Sequence, residues 1–210
     1  MKKLKIFAKT CAALTLCFSF SACSVNSDSQ SSENISSSIN QEERFTNNAE
    51  TFSINVPVIE GGWNTDATSM LNDYSIVIDN SDQSFTILVQ SLPKSEGTLA
   101  AYPDIESVEN AYYQSTLAQF GIDGTEETIK IEGASKTAAY SYIIEQGEVT
   151  SKAFIAYIDM PEAYYIYTIT GLEEIYNENI EAQKLAIESL KEINQENSNI
   201  ESTTTSQTIE

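Results

Sequence analysis

Residues 137–171 constrain the fold more than any other part of this chain. They read TAAYSYIIEQ, a turn containing Gly147, EVTSKAFIAYI, a turn containing Pro161, and AYYIYTITG. These are three successive runs rich in Tyr, Ile, Thr and Phe, which suit a pleated and packed surface. Two short connections join them, so the spacing predicts an antiparallel meander. The runs 153–158 and 164–167 are almost continuously apolar. That pattern predicts a sheet buried on both faces.

The elements before the meander supply more strands and one helix. Phe52, Ile54 and Val56 alternate with Ser53 and Asn55, a half-buried strand, and Pro57 suits an edge or a strand end. Gly61-Gly62 permits a bend before Trp63. Residues 74–79 and 85–92 form the next strand pair, and Asn80-Ser81-Asp82-Gln83 supplies turn chemistry between them. Asp104 is a good N-cap for a helix carrying Ile105, Val108, Tyr112 and Phe120 on one face, with Gly121 as its stop. Glu106 and Glu109 sit near the positive end of its dipole. Ile129 and Ile131 mark a short strand over 128–132, and Gln146-Gly147 marks the first meander turn.

After the meander, Leu172, Tyr176, Ile180, Ile187 and Leu190 share one face of a helix expected over 173–193. Glu173, Glu174, Glu178 and Glu181 occupy its first half, and Lys184 and Lys191 its second, as the dipole favours. The order of strands, helix, strands, helix gives an α+β class: a mostly antiparallel sheet packed by two main helices. The expected domain covers residues 50–193, and the polar tail 194–210 is expected to be disordered.

The N-terminus carries a different kind of information. Lys2, Lys3, Lys5 and Lys9 precede an apolar stretch over about 11–20, followed by Ser21 and Ala22. This is a secretory layout, and the apolar run is too short to span a bilayer. Phe20-Ser21-Ala22-Cys23 resembles the bacterial lipobox, with Phe20 where that pattern prefers Leu. The resemblance implies a signal peptide at 1–22, diacylglyceryl transfer to the Cys23 sulfur, cleavage before Cys23, and a lipid bilayer as the first partner. Stable anchoring then follows from acyl chains that each contribute about 0.8 kcal/mol per buried CH₂. From 24 to 49 the chain is Ser, Asn, Gln and Glu with few apolar residues. It predicts a disordered leash, and roughly 25 flexible residues span about 25–30 Å.

Composition excludes more function classes than it admits. Formal net charge is −20, and removing residues 1–22, with four Lys and no acid, takes it to −24. Such a surface repels phosphate backbones and anionic headgroups, so no nucleic-acid partner is expected. There is no His, which removes Ser-His-acid triads, Cys-His dyads and His-ligated zinc. Of three Cys, two lie in the apolar N-terminal run and the third is Cys23. Processing there leaves no Cys within the domain for a disulfide, a nucleophile or a metal.

What remains is weak as chemistry. Gly121-Ile122-Asp123-Gly124 lacks the length and the Lys of a phosphate loop. Asp79-Asn80-Ser81-Asp82 offers oxygens but lacks the Gly and distal Glu of a calcium loop, and reads as a hairpin turn. Glu145 and Glu148 flank a solvated hairpin tip, and Ser135-Lys136 point apart in extended chain. No catalytic residue, metal site or cofactor is expected, and the chain is not read as an enzyme.

The aromatics admit two readings. Tyr112, Tyr113, Tyr140, Tyr142, Tyr157, Tyr164, Tyr165 and Tyr167 cluster in the sheet and first helix. Tyr fills helix–sheet layers, and Tyr also lines pockets and interfaces. Tyr112 and Tyr164 are therefore candidate contacts with a ligand or partner, and Trp63, beside the Gly-Gly bend, is a third.

Together, Phe52-Ser53-Ile54 with Pro57 and Trp63, the strands at Ile76 and Ile87, the helix with Tyr112, and the Tyr-rich meander running into a helix that ends near Ser189-Leu190 resemble the PsbP-like and DcrB-like α/β/α sandwich group. The likeness covers residues 51–193. It implies about seven antiparallel strands between helices and no particular activity, since that group spans photosystem accessory subunits and bacterial lipoproteins of unassigned role. A cystatin-like or nuclear-transport-factor-like cone is the alternative architecture. The functional expectation is an extracytoplasmic lipoprotein, on a Gram-positive surface, whose non-enzymatic domain binds an envelope protein. The alternative is a carrier or sensor of a small apolar or amphipathic ligand held between sheet and helix.

Overall fold

The computed structural model describes residues 41–64, 72–80, 83–118 and 122–193. Ten strands and three helices occupy them. The meander forms β7 (Lys136–Gln146), β8 (Val149–Asp159) and β9 (Ala163–Leu172). It lies within a seven-stranded antiparallel sheet of order β3-β4-β5-β9-β8-β7-β6. Here β3 is Trp63–Asn64, β4 Ser75–Asn80, β5 Phe85–Pro93 and β6 Thr125–Glu127. The second sheet is small, of order β1-β2-β10, from Glu42–Thr46, Phe52–Pro57 and Lys191–Glu192.

Period-two alternation divides β8 cleanly. Phe154, Ala156 and Ile158 join one core cluster, and Ala153, Ile155 and Tyr157 join another. β9 divides the same way, with Tyr165, Tyr167 and Ile169 opposite Tyr164 and Ile166. Both faces of the sheet are therefore packed. Helix α2 (Ile105–Thr116) covers one, burying Ile105, Val108, Tyr112 and Thr116. Helix α3 (Glu173–Ile187) and the small sheet cover the other: Tyr176, Ile180 and Ile187 of α3 meet Phe52, Ile54 and Val56 of β2. The fold is the expected α+β arrangement, a largely antiparallel sheet between helical layers.

Local chemistry sets the boundaries. Asp104 caps α2, its Oδ1 accepting from Ser107 N at 2.8 Å. A short exposed helix, α1 (Glu96–Ala101), precedes it, with Ser95 Oγ accepting from Thr98 N. The β7–β8 register pairs Gln146 with Val149, so Gly147-Glu148 is the two-residue turn, one place later than expected. Gly147 supplies its positive φ of 66°. That register also sets Glu145 opposite Thr150, so Glu145 and Glu148 do not pair.

Four other boundaries differ from expectation. Strand β1 lies inside the stretch expected to be leash. Only Phe45 of β1 is buried, so its sequence looks like polar leash, and backbone pairing with β2 holds it. Asn47 forms the corner, Oδ1 accepting from Thr51 N at 2.9 Å and Phe52 N at 3.0 Å. Helix α2 ends at Thr116, short of Gly121, and Phe120 and Gly121 lie outside the described residues. The short strand is at 125–127 and not 128–132. Ile131 is buried without a ladder, because the chain turns at once, with Ala134 N bonding Ile131 O at 3.3 Å and Gly133 at φ 83°. Finally, α3 stops at Ile187 and the chain returns to β2. Ser189 Oγ accepts from Asn55 N at 2.7 Å, and Lys191 and Glu192 then pair with Ser53 and Phe52.

Candidate functional site

The tyrosines separate by layer. On the α3 side, Tyr165 and Tyr167 are fully buried; the Phe52 ring meets Tyr165 edge-on at 5.1 Å. The Tyr165 hydroxyl donates to Glu192 Oε1 at 3.3 Å, and burial pushes its pKa upward. On the α2 side, Tyr112 meets Tyr157 edge-on at 5.8 Å, and Tyr157 lies 6.4 Å from Tyr140. Tyr112 and Tyr164, the two candidate contacts, are buried in this layer at 6% and 2% exposure. The Lys94 ammonium sits 4.8 Å over the Tyr164 ring and 2.5 Å from Asp159 Oδ1, sealing that end. Neither tyrosine is a surface contact.

Trp63 is half-buried rather than exposed. Its Nε1 donates to Pro57 O at 3.1 Å, and its ring lies 6.2 Å from Phe85. It joins β3 to β2 and packs against the core. Cys23, the expected lipidation site, lies outside the described residues. Asp79 is buried, which pushes its carboxyl pKa upward against a 2.6 Å bond from Thr86 Oγ1, and Ser81 and Asp82 beside it lie outside the described residues. Lys136 pairs with Glu106, not with Ser135. Among the described residues, no group of three or more acidic or Cys side chains is placed to hold a metal ion.

One surface feature on the α2 side does bring chemistry together. An open groove of about 580 Å³ runs between α2, the segment 122–124 and β7. Glu106, Glu109, Asn110 and Tyr113 present the polar face of α2 to it. Their spacing of three, four and seven residues is one helical stripe. Asp123 and Gly124 form the opposite wall, and Tyr140, Tyr142 and Tyr157 the floor. A Cβ at Gly124 would lie 2.6 Å from Tyr142 Cε1, so a larger residue here would displace that ring. The Tyr140 hydroxyl donates to Glu109, which pushes its pKa up to about 12. Burial raises Tyr142 and Tyr157 further, so all three stay neutral at physiological pH. The Tyr157 hydroxyl is buried and has no hydrogen-bond partner among the described residues.

A second groove, of about 420 Å³, lies beside α3. Its charges are mixed: Lys184 binds Glu127 and Glu181 while lying 5.1 Å over the Phe154 ring. Sequence reasoning missed the first groove. It read Glu106 and Glu109 only as partners of the helix dipole and Asp123 only as part of a helix stop. The signal present was the second, polar stripe of α2, running through Tyr113.

Neither a family model nor a curated protein matches this sequence. Solved structures do. A Bacteroides thetaiotaomicron protein matches at TM-score 0.52 and 11% identity, over 74% of this chain. The match covers 50% of that protein, so this chain spans about half of its length. LpqN of Mycobacterium tuberculosis, described as involved in cell envelope biogenesis, matches at TM-score 0.44 and 13% identity, over 73% of this chain and 91% of its own. The PsbP of the cyanobacterium Synechocystis matches at TM-score 0.40 and 10% identity, over 78% of this chain and 98% of its own. At 11% identity the likeness to the Bacteroides protein is one of fold alone.

Proposed function

We propose that this chain is an extracytoplasmic lipoprotein, held to a membrane by acylated Cys23. In this reading its domain is a non-enzymatic binding or accessory module for an envelope protein on a Gram-positive surface. The anchor rests on Phe20-Ser21-Ala22-Cys23 following a secretory layout. Among the described residues no helix is long and apolar enough to cross a membrane. The observation that carries the binding reading is the filling of both layers. The Tyr112–Tyr157 contact and the full burial of Tyr165 and Tyr167 occupy the space between sheet and helices, which leaves the outer surface for recognition.

Replacing Cys23 with Ser tests the anchor. The variant is expected to leave the membrane fraction and to lose labelling by a fatty-acid probe, and unchanged retention would refute the reading. Crosslinking in envelope preparations tests the module. A recurrent single partner is expected, and repeated absence of one counts against it.

The carrier reading keeps one foothold, the open groove, since the layer at Tyr112 and Tyr164 is packed solid. Native mass spectrometry of gently purified protein decides it, with a retained small-molecule mass as the supporting result and a clean apo mass as the opposing one.

A further inference from the structure

The groove on the α2 side combines three features that point to one ligand chemistry. The first is charge. Glu106, Glu109 and Asp123 line it, and among the described residues no Lys or Arg does. Lys136 is engaged with Glu106 and the Tyr140 hydroxyl with Glu109, so among the described residues Glu109 and Asp123 have no cationic partner. Anions are repelled from such a place, and cations are concentrated in it.

The second is aromatic surface. Tyr113, Tyr140 and Tyr142 present rings beside those carboxylates, and Tyr140 and Tyr142 lie 6.3 Å apart at an angle of 44°. Rings set at an angle offer their negative faces to a cation from two directions. A small, hard metal ion gains little from such faces, and the carboxylates are not grouped to chelate one.

The third is the orphaned hydroxyl. Tyr157 is fully buried and its Oη has no partner among the described residues. The residue belongs to the groove floor with Tyr140 and Tyr142, its ring lying 6.4 Å from that of Tyr140 and 5.8 Å from that of Tyr112 behind the floor. A buried polar atom without a partner is costly and calls for an explanation. Tyr167 on the α3 side also has an unpartnered hydroxyl, but it lines neither of the two grooves described. Of the orphaned side chains among the described residues, Tyr157 is the one that belongs to the groove lining.

We propose that this groove binds an alkylammonium group, with Glu109 and Asp123 neutralising the charge, the Tyr113, Tyr140 and Tyr142 rings enclosing the alkyl substituents, and the Tyr157 hydroxyl completed by the bound ligand. The groove is of a size for a small amine or one side chain, so the ammonium comes from a free metabolite or from a Lys of a protein. The site goes beyond the tethered-module reading and stands without it, because membrane release by Cys23→Ser reports on the anchor alone.

Calorimetric titration of the full chain tests the proposal. The probes are choline for a free quaternary ammonium, Nα-acetyl-lysine methylamide for a Lys side chain, and 3,3-dimethylbutan-1-ol as the neutral isostere of choline. Saturable binding of at least one ammonium probe is expected, with none for the neutral alcohol. The double variant Glu109→Gln, Asp123→Asn should weaken it by tenfold or more. Tyr157→Phe, which removes one oxygen and keeps the ring, should weaken it several-fold and serves where the double variant fails to fold. Absence of saturable ammonium binding, equal binding of the neutral isostere, or unchanged affinity in Tyr157→Phe would overturn the assignment.

Discussion

The two faces of the central sheet are built from the same strands and much the same residues, yet they are finished differently. On the α3 side a helix and a second sheet close over the core together, and Phe52, Tyr165, Tyr176 and Ile187 lie within one apolar cluster. On the α2 side one helix of 12 residues does the covering. Its apolar stripe, with Ile105, Val108 and Tyr112, seals the middle, while its polar stripe faces an open groove. The difference shows that a tyrosine's role is decided by what lies above it. Tyr167 under the doubled cover is core, and Tyr140 beside the single helix is half wet. The doubled cover predicts a larger share of stability from the α3 side, and the proposed ammonium site lies on the other.

The contrast is broken most directly by cutting into each layer. Phe52→Ala removes the ring that ties the small sheet to Tyr165, and should cost about 3–5 kcal/mol in urea unfolding. Val108→Ala on α2 removes far less buried surface and should cost about 2 kcal/mol. Equal costs would mean that the two layers are equally important to stability.

Adding a methyl group gives a finer comparison. A Cβ at Gly171 would lie 2.7 Å from Phe85 Cδ2 and 3.2 Å from the Ser84 carbonyl, a wall that includes backbone. At Gly124 the nearest obstacle is the Tyr142 ring, at the edge of the groove. Each alanine should cost about 1–3 kcal/mol, with Gly171→Ala at the upper end and Gly124→Ala at the lower. Thermal unfolding of the two variants ranks them.

The cap at the start of α2 should be worth about 1 kcal/mol, read as the stability lost in Asp104→Ala. Its loss should leave the α3 side intact, so amide exchange should rise in α2 and stay unchanged in α3.

The smallest expected effect is one of pH, and its sign differs between the faces. Burial first, then the nearby Glu162, hold the Glu192 pKa above its ordinary value, against bonds from Glu162 N and Tyr165 Oη. Raised in the folded state, it favours folding as pH falls through that raised pKa, and the gain is lost as pH rises through it. The bonds from the Ser107 hydroxyl and amide hold the Asp104 pKa below its ordinary value. That contribution is present above the unfolded pKa and is lost as pH falls through the lowered one. Urea midpoints followed from pH 7 toward pH 3 should therefore change slope in opposite directions in Glu192→Gln and Asp104→Asn. Slopes moving the same way would contradict the assignment of either group.

The meander was legible because its runs at 153–158 and 164–167 carry apolar residues on both alternations, which only a doubly covered strand tolerates. Strand β1 was not, because it holds one buried side chain and owes its place to backbone pairing, which leaves no mark on composition. The end of α3 was overrun because Leu190 continues the helical stripe although the chain has already turned toward β2. Tyr112 and Tyr164 stood open between core and pocket because residue type is the same in both. The groove was hidden for a related reason. Its carboxylates and rings come from α2, from 122–124 and from β7, and proximity between distant segments is a property of the fold alone.

The placement of β1 carries one more consequence, and it concerns orientation. The chain enters the domain at β1, in the small sheet, on the face opposite the groove. The entry also behaves as a zipper. Glu42 pairs with Pro57 at the open end of the β1–β2 hairpin, so tension on the preceding chain meets the ladder one pair at a time, beginning there. Strand β1 is then placed to yield to load before α2, and the groove beside it, is disturbed.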